Sequence, residues 1–595
     1  MVPAMHTMLE DPEKDGNDAL HSKGDDSLDN SSQIYRPDSY SSFDTSSSDG
    51  VSDFSDDAER MSRTQTAQTQ PGYGLERHPT ALSRIATQRS QHSATVGALR
   101  VRPSRKPLPE FGAGKPYPPP LPEREEYVVE FTGPDDSLHP QNWPMRKKFL
   151  VSALLAFTTF NSTFTSSIFS AANSVMSSKF GVSTEVGTLG MSLYVLGFAF
   201  GPTLFSPLSE LFGRRLPILI GVFGFTVFQF AVATAENLQT VVISRFFGGF
   251  FGACPIAVVA AVFSDLYDNR HRGLAITIFT MMVFTGPLFA PFIGGFIVES
   301  YLGWRWTEYL PGILGAAAFV LDLFFVEETY PPIILVKKAE ELRRRTKNWG
   351  IHAKQEEVEI DLGELIAKNF SRPVRILLSE PVLLLLSIYM AFLYGLLYLF
   401  MTAYPIVFQQ IYGFNKGVSG LPYFGMIIGE LIGGLLIITL QPWYNKKLSS
   451  NNDIPVPEWR LPPAIIGAGA FSAGLFWFGW GGYQASVHWI VPTASGLLTG
   501  FGLLCIFLQC LNYIIDTYLV FAASALAANS ILRSLAGAGF PLFTPYMFNA
   551  LGVNWTGTLL GCVAVVLMPI PLLFYLFGSR IRQKSKFAAE YTTVV

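Results

Sequence analysis

The sequence predicts an all-α membrane protein in which twelve helices form two six-helix bundles behind a long polar tail. Two observations support this fold class. The 595-residue chain is 49% hydrophobic and 15% charged, with a mean hydropathy of +0.30, whereas soluble proteins average about 25% charged residues. From Lys148 onward, long apolar runs alternate with short polar breaks, and these runs reach the length of about 20 residues that crosses a bilayer as a helix.

The polar tail comprises residues 1–126 and differs in composition from everything after it. Residues 1–60 are acidic and serine-rich, whereas 61–115 are basic and lead into GKPYPPPLPER. Such a segment lacks the apolar residues needed for a core, so we predict a disordered tail. Its serines beside acids, and RTQ, RSQ and RPSRK, are candidate kinase targets; the alternative is a solvated tail without a specific role.

The apolar runs define the predicted spans and domains. The first six spans are 149–171, 186–206, 217–234, 239–262, 273–298 and 307–326. After a polar interval, six more follow at 381–404, 419–440, 461–480, 487–512, 519–545 and 555–577. The predicted domains are therefore a first half at 127–326, a central loop at 327–378, a second half at 379–578 and a tail at 579–595.

The positions of lysine and arginine predict the orientation, because short cytosolic loops carry an excess of these residues. With a cytosolic N-terminus, the inside loops carry Arg214, Arg215, Arg270, Arg272, Lys446, Lys447 and Arg460. The outside loops then carry Lys179, Arg305 and Lys416. We predict that both termini and the basic central loop are cytosolic.

Composition and motifs also exclude several functional classes. A net charge of −3 gives no reason to expect a nucleic-acid partner. The four cysteines lie in apolar runs without the spacing of a metal site or a disulfide framework. No phosphate-binding or nucleophile motif is present, so we expect no enzyme activity, no cofactor and no metal. Two matched halves instead predict a site near the bilayer midplane.

The loop after the second span reads SPLSELFGRRLPI. Glu210 precedes Arg214 and Arg215 by four and five residues, and Gly213 permits a tight turn between them. An acid that ends one helix can pair with basic residues that open the next. Topology alone also explains arginines in an inside loop.

The fourth span contains ISRFFGGFFGA, in which Arg245 lies several residues inside an apolar run. A charge at that depth is costly unless it is paired or faces water. The glycines that follow it permit close approach of a neighbouring helix or ligand. Arg245 is therefore either a functional residue or an arginine held by helix carbonyls for packing.

The fifth span contains TGPLFAPFIGGF, which has five helix breakers: Gly286, Pro287, Pro291, Gly294 and Gly295. Proline frees a backbone carbonyl and bends a helix, while glycine opens a groove for a neighbour. Neighbouring helices can restore the polar contacts that the breakers remove. The segment is interpreted as a bent, closely packed helix that seals the midpoint in one state, with a static kink as the alternative.

These three motifs resemble those of the major facilitator superfamily. Its loop motif, Gly-x-Leu-Ala-Asp-x-x-Gly-Arg-Lys, is matched at Leu208, Glu210, Gly213, Arg214 and Arg215, with Ser206 at the opening glycine. The Arg245 segment is similar to the fourth-helix motif Arg-x-x-x-Gly, which is linked to proton coupling in that family. The proline-glycine segment resembles the fifth-helix motif of drug:proton antiporters. The resemblance implies a major facilitator fold and a loop that acts as a conformational latch.

Further segments narrow the resemblance to the fungal twelve-span drug:proton antiporters. They are HPQNWPMRKK, DLYDNRHRG, EETYPPIILVKKAEELR and RSLAGAGFPLF. The implied function is proton-coupled export of diverse lipophilic compounds, including azole antifungals, by a monomer in the fungal plasma membrane. The expected partners are therefore small lipophilic substrates, protons and membrane lipid. Alternatives are export of polyamines or of an endogenous metabolite, and, in a different class, a sensor without transport.

Glu430 is the best-placed candidate for carrying a proton. It lies about 18 Å into the eighth span at 1.5 Å per residue, near the midplane. The surrounding IIGELIGG is apolar, which favours the neutral form of a carboxylic acid. A carboxylate that only pairs with a neighbouring helix is the alternative. Asp322 lies five residues from the end of its span and is expected to be an interface anchor.

Aromatic residues of the first and seventh spans are the candidates for a substrate cavity. Tyr394 and Tyr398 are separated by four residues and share a helix face, with Tyr389 nearby. With Phe160 and Phe164 of the first span, they would line an apolar cavity that carries a few hydroxyl groups. Because aromatic residues make up 14% of the chain, core or lipid-facing positions are the alternative for each of them.

Overall fold

The computed structural model describes residues 124–133, 135–357, 362–451, 455–518, 521–583 and 585. The predicted tail up to residue 123 and most of 579–595 lie outside this part of the chain. The first six long helices are α1 Met145–Phe180, α2 Thr184–Leu211, α3 Arg215–Thr234, α4 Leu238–Leu266, α5 Asn269–Glu299 and α6 Trp306–Phe325. The others are α7 Pro331–Thr346, α8 Leu362–Ser379, α9 Pro381–Tyr404, α10 Tyr423–Ser450, α11 Pro462–Gly481, α12 Ile490–Thr517, α13 Ala522–Leu567 and α14 Pro569–Arg582. A π-helical turn, Pro405–Ile411, extends α9.

Local sequence explains where many of these helices begin. The side chains of Ser183, Asn237 and Asp268 accept backbone N–H bonds at the starts of α2, α4 and α5, which satisfies donors that a helix leaves unpaired. Proline occupies the first position of α7, α9, α11 and α14, where its missing N–H costs nothing. The polar breaks before α2, α4, α5, α7, α9 and α11 thus carry local signals that start the next helix.

Eleven helical segments of the described chain are long and apolar enough to cross a membrane. The last, Ala522–Arg582, holds two passes, because Gly552 has φ 74° and ψ 170° and interrupts the helix. The Thr556 hydroxyl donates to the Met547 carbonyl at 3.4 Å, whereas nine residues of straight helix would separate these positions by about 13 Å. The chain therefore reverses at Gly552, and the predicted twelve spans are confirmed.

Several helices are longer than the predicted spans, whereas α6, α9 and α11 have the predicted length. The first span, predicted at 149–171, belongs to a helix of 36 residues, Met145–Phe180. Hydropathy detects only the apolar part of a helix, so the prediction leaves out the polar turns at either end.

The two halves meet along two helix pairs. Within the first half, α1 packs against α5 and α2 against α4; within the second, α12 packs against α10 and α11, and α9 against α13. Between the halves, α2 packs against α13 and α5 against α10. The motif-bearing fifth span thus lies at a boundary between the halves.

The polar interval 327–378 is largely helical, although it was predicted only as a loop. It contains α7 and α8, and α7 carries the ion pairs Glu340–Arg344 and Glu341–Arg345, each spaced four residues apart. The backbone N–H of Val129 donates to the His352 carbonyl at 2.9 Å. The chain before the first span therefore docks onto the central segment.

Candidate functional site

Four glycines position Glu430 on α10. A Cβ atom on Gly425, Gly429 or Gly433 would lie 2.3, 2.1 or 3.0 Å from a backbone carbonyl oxygen of α12. A Cβ on Gly434 would lie 2.4 Å from a methionine sulfur of α5. The spacing of four residues, a small-residue motif of membrane helices, thus brings α10 against α12. Gly434 brings α10 against α5, and Glu430 lies between α5 and α12.

Glu430 is completely buried at the boundary between the halves. The Thr285 hydroxyl of α5 donates to its Oε2 at 3.3 Å, while within the described chain Oε1 has no hydrogen-bond partner. No arginine or lysine of the described chain pairs with this carboxyl group. A buried intramembrane carboxyl group without a basic partner is a candidate for a functional site.

The two halves also touch at the end of α5, next to the boundary that holds Glu430. A Cβ on Gly295 would lie 2.3 Å from the carbonyl oxygen of Lys416 in the second half. The Lys416 backbone N–H donates to Glu299 Oε1 at 2.6 Å, and its ammonium group donates to Ser174 Oγ at 2.9 Å. We call this contact, made by Ser174, Gly295, Glu299 and Lys416, the 295–416 contact.

The other breakers of the fifth span lie within an unbroken helix. A Cβ on Gly286 would lie 2.3 Å from Thr163 Oγ1, and one on Gly294 would lie 2.9 Å from a carbonyl oxygen, both in α1. Pro287 and Pro291 lie inside α5, which continues through both. Two of the motif glycines thus serve packing against α1, and Gly295 serves the contact with the other half.

Arg245 forms a buried ion pair that binds four helices together. Its Nη1 lies 3.1 Å from Glu308 Oε1 on α6, and both side chains have no exposed surface. Its Nε donates to the Gly190 carbonyl at 2.9 Å, and its other nitrogens donate to the carbonyls of Thr165 and Ser166. The structure therefore supplies both the acid and the helix carbonyls that a buried arginine needs.

Sequence reasoning missed Glu308. This residue is the third of α6 and so resembled an acid at a helix end. A buried arginine in one span requires an acid elsewhere, and α4 and α6 begin at the same end of the first half. That requirement, applied to the first turns of the neighbouring spans, would have indicated Glu308.

The candidate aromatic residues lie in two groups, one on α9 and one on α1. The Tyr398 hydroxyl lies 2.9 Å from Ser166 Oγ and 3.5 Å from the Tyr394 hydroxyl, so these two tyrosines connect α9 to α1. Phe160 and Phe164 stack with centroids 5.8 Å apart and pack against α5. Tyr389 is buried with the two other tyrosines in the core of the second half.

The loop that carries Arg214 and Arg215 is held by carboxylates. Arg214 Nε lies 3.0 Å from Asp265 Oδ2 at the end of α4. The Glu328 carboxylate accepts the backbone N–H groups of Arg214 and Arg215 at 2.8 and 3.3 Å. Glu210, at the end of α2, exerts a favourable charge interaction on Arg214. This loop therefore ties α2, α3, α4 and the start of the central segment together.

The second half repeats this arrangement. Arg460, in the loop after α10, lies 3.0 Å from Asp516 Oδ2 at the end of α12, and its guanidinium carbon lies 3.7 Å from the Tyr444 ring centroid. Arg582 Nη2 bonds Glu458 Oε2 at 2.9 Å. Burial raises the pKa of Glu458, and the Arg582 guanidinium opposes that shift. Sequence reasoning missed this repeat, because the second loop lacks the glycine-arginine-arginine pattern of the first.

The expectation for Asp322 was wrong. It has no exposed surface, and its Oδ2 accepts the Thr158 hydroxyl of α1 at 2.9 Å. The next residues, Leu323 to Phe325, are exposed, so the helix register turns the acid inward. Distance from the end of a span does not show which face of the helix a residue occupies.

Comparisons with known proteins agree with this architecture. The family model described as Major Facilitator Superfamily matches residues 155–541. The chain is 48% identical over 512 residues to the "Major facilitator superfamily multidrug transporter FLU1" of Candida albicans, covering 86% of this chain and 84% of that protein. It is 47% identical to the "Multidrug transporter TPO1_2" of Candida glabrata, covering 85% of this chain and 90% of that protein.

Solved structures share the fold at low sequence identity. The proton:xylose symporter XylE, bound to 6-bromo-6-deoxy-D-glucose, superimposes with a TM-score of 0.54 at 16% identity. The alignment covers 73% of this chain and 96% of that one. At this identity the likeness concerns the fold alone.

Proposed function

The chain belongs to the major facilitator superfamily, and we propose that it is a proton-coupled exporter of diverse lipophilic compounds, including azole antifungals. The observation that carries the proposal is the 48% identity, over 86% of the chain, to a protein named a multidrug transporter. We propose no enzymatic activity, and we infer that one chain suffices for transport, because it contains both halves. The proposed location is the fungal plasma membrane.

Proton coupling is proposed to depend on Glu430. Its carboxyl group lies in the seam between α5 and α10 without a basic partner among the described residues. In this proposal Arg245 fixes the helices of the first half, and the loop with Glu210, Arg214 and Arg215 acts as a latch for movement between the halves. Protonation of Glu430 would remove the charge that resists closure of the seam.

We propose that both termini and residues 327–378 are cytosolic. The basic loops support this orientation, and it places the 295–416 contact on the outer side. In a variant that lacks the exposed Cys562, an impermeant maleimide is expected to label Tyr301→Cys in intact cells and Trp349→Cys only after lysis. The two positions are 97% and 75% exposed. Labelling of Trp349→Cys in intact cells would reverse the orientation.

The 295–416 contact is proposed to be the outer gate of the transport pathway. Gly295→Ala is expected to lower transport severalfold without lowering the amount of protein, because its Cβ would press on the Lys416 carbonyl when the gate closes. Gly539→Ala is the matched control: it too adds a methyl group to a membrane helix, but nothing lies within 4 Å of its Cβ. Equal transport by the two variants would contradict the proposed gate.

An energised efflux assay in pump-deficient yeast tests the proposed function. Cells that express the chain are expected to accumulate less azole and to survive higher azole concentrations than control cells, and a protonophore should abolish both effects. Spermine is the comparison substrate. Protection against spermine without protection against azoles would indicate a polyamine exporter, and no loss of any substrate from energised cells would indicate a sensor.

A further inference from the structure

An arginine for which the described residues supply no acidic partner lies in the first pass of α13, before the break at Gly552. Arg533 is eleven residues from the start of this helix, or about 16 Å along it at 1.5 Å per residue. Its guanidinium carbon lies 5.4 Å from the ring centroid of Tyr394 and 5.3 Å from that of Phe507. Within the described chain, its Nε is buried and has no hydrogen-bond partner.

Three other arginines of the described chain are paired with acids inside the protein. Arg214, Arg245 and Arg460 each form an ion pair with a carboxylate at 3.0–3.1 Å. No carboxylate of the described residues forms such a pair with Arg533. An arginine inside a membrane span is costly unless its charge is compensated. Two aromatic rings alone compensate that charge only weakly.

Two polar neighbours on the same face of α13 are also incompletely bonded. Ser530 precedes Arg533 by three residues, and Asn529 precedes it by four, so the three side chains share one helix face. In the described structure, Ser530 Oγ and Asn529 Oδ1 are buried without a hydrogen-bond partner, although the Asn529 amide nitrogen donates to Ser387 Oγ at 3.2 Å. We call Asn529, Ser530 and Arg533 the Arg533 cluster.

The Arg533 cluster adjoins the boundary between the halves. Tyr394, under the guanidinium group, is linked through Tyr398 to Ser166 of the first half. Phe507, on the other side of the guanidinium group, makes an edge contact with Phe284 of α5, with ring centroids 4.7 Å apart. Arg533 is the one charged residue of α13, Ala522–Leu567, so the Arg533 cluster is where this helix presents a charge beside that boundary.

We infer that the Arg533 cluster binds the carboxylate of lipophilic organic acids, with Tyr394 and Phe507 contacting the apolar body of the ligand. This inference rests on the proposed export function and names one substrate class for it. A guanidinium group can donate two parallel hydrogen bonds to a carboxylate, and the Ser530 hydroxyl supplies a further donor. The positive charge disfavours polyamines at this site.

The test compares pyrenebutyrate with its methyl ester, which has the same apolar body but no charge. Binding to the purified full-length protein is measured by the shift in Tm that each probe produces over a concentration series. The wild type is expected to bind the carboxylate at least tenfold more tightly than the ester. Arg533→Gln should abolish this preference by weakening carboxylate binding alone, Arg533→Lys should retain part of it, and Ser530→Ala should reduce it severalfold.

Three outcomes would overturn the inference: a wild type without preference for the carboxylate, an unchanged preference in a folded Arg533→Gln protein, or equal weakening of both probes. If Arg533→Gln does not fold, the inference is tested by two remaining measurements. These are the preference of the wild type for the carboxylate over the ester and its reduction in Ser530→Ala. Export is measured separately in energised cells. Failure to export azoles would refute the proposed function, whereas the binding preference tests the Arg533 cluster by itself.

Discussion

Glu430→Gln is expected to lower proton-driven export roughly tenfold or more, and to remove its dependence on external pH, while the protein still folds and reaches the membrane. Glutamine nearly matches glutamate in shape and stays neutral, so the packing around this fully buried side chain is kept. The variant can still receive the Thr285 hydroxyl bond. What it cannot do is gain and lose a proton.

The measurement is export of a fluorescent substrate from energised cells at several external pH values, normalised to the amount of protein at the surface. Thr285→Val is the matched control, because it removes the hydrogen bond to Glu430 but leaves the carboxyl group able to titrate. Its export should keep the normal pH dependence, even at a reduced rate. Wild-type export by Glu430→Gln, with normal pH dependence, would make the carboxyl group structural.

The number of spans was predictable because the bilayer imposes one rule on every segment. A backbone in hydrocarbon must satisfy its own hydrogen bonds, so each pass is a helix of about 20 apolar residues. The same rule explains why the break at Gly552 was anticipated: the apolar runs of α13 stop on either side of it. The helices of the central segment escaped prediction because α7 is polar and depends on contacts with residues 127–130.

The candidate site was less predictable, because it depends on which way each helix faces. Hydropathy gave the depth of Glu430, and the glycines around it indicated close packing, but neither identified Thr285 as its neighbour. Asp322 was misjudged for the same reason, since its depth was estimated and its facing direction was not. The facing direction is set by contacts between helices that are far apart in the sequence.

The ion pair between Arg245 and Glu308 gives the second large prediction. Arg245→Ala is expected to destabilise the protein by about 3–5 kcal/mol, because it leaves the Glu308 carboxylate buried without its partner. Little of this variant should reach the cell surface, and its Tm in detergent should fall. Glu308→Gln should be milder, since the amide oxygen can still accept a hydrogen bond from Arg245.

The double variant Arg245→Met, Glu308→Met then separates packing from function. Replacing both charges by apolar side chains removes the cost of an unpaired buried charge, so folding should recover well beyond that of Arg245→Ala. Transport by the double variant is nevertheless expected to stay low. Arg245 also donates to the carbonyls of Thr165 and Ser166, and Ser166 touches Tyr398 of the other half. Without the guanidinium group, the segment of α1 that contacts Tyr398 loses its hydrogen bonds to α4. A double variant that folds and exports at the wild-type rate would show that the pair serves packing alone.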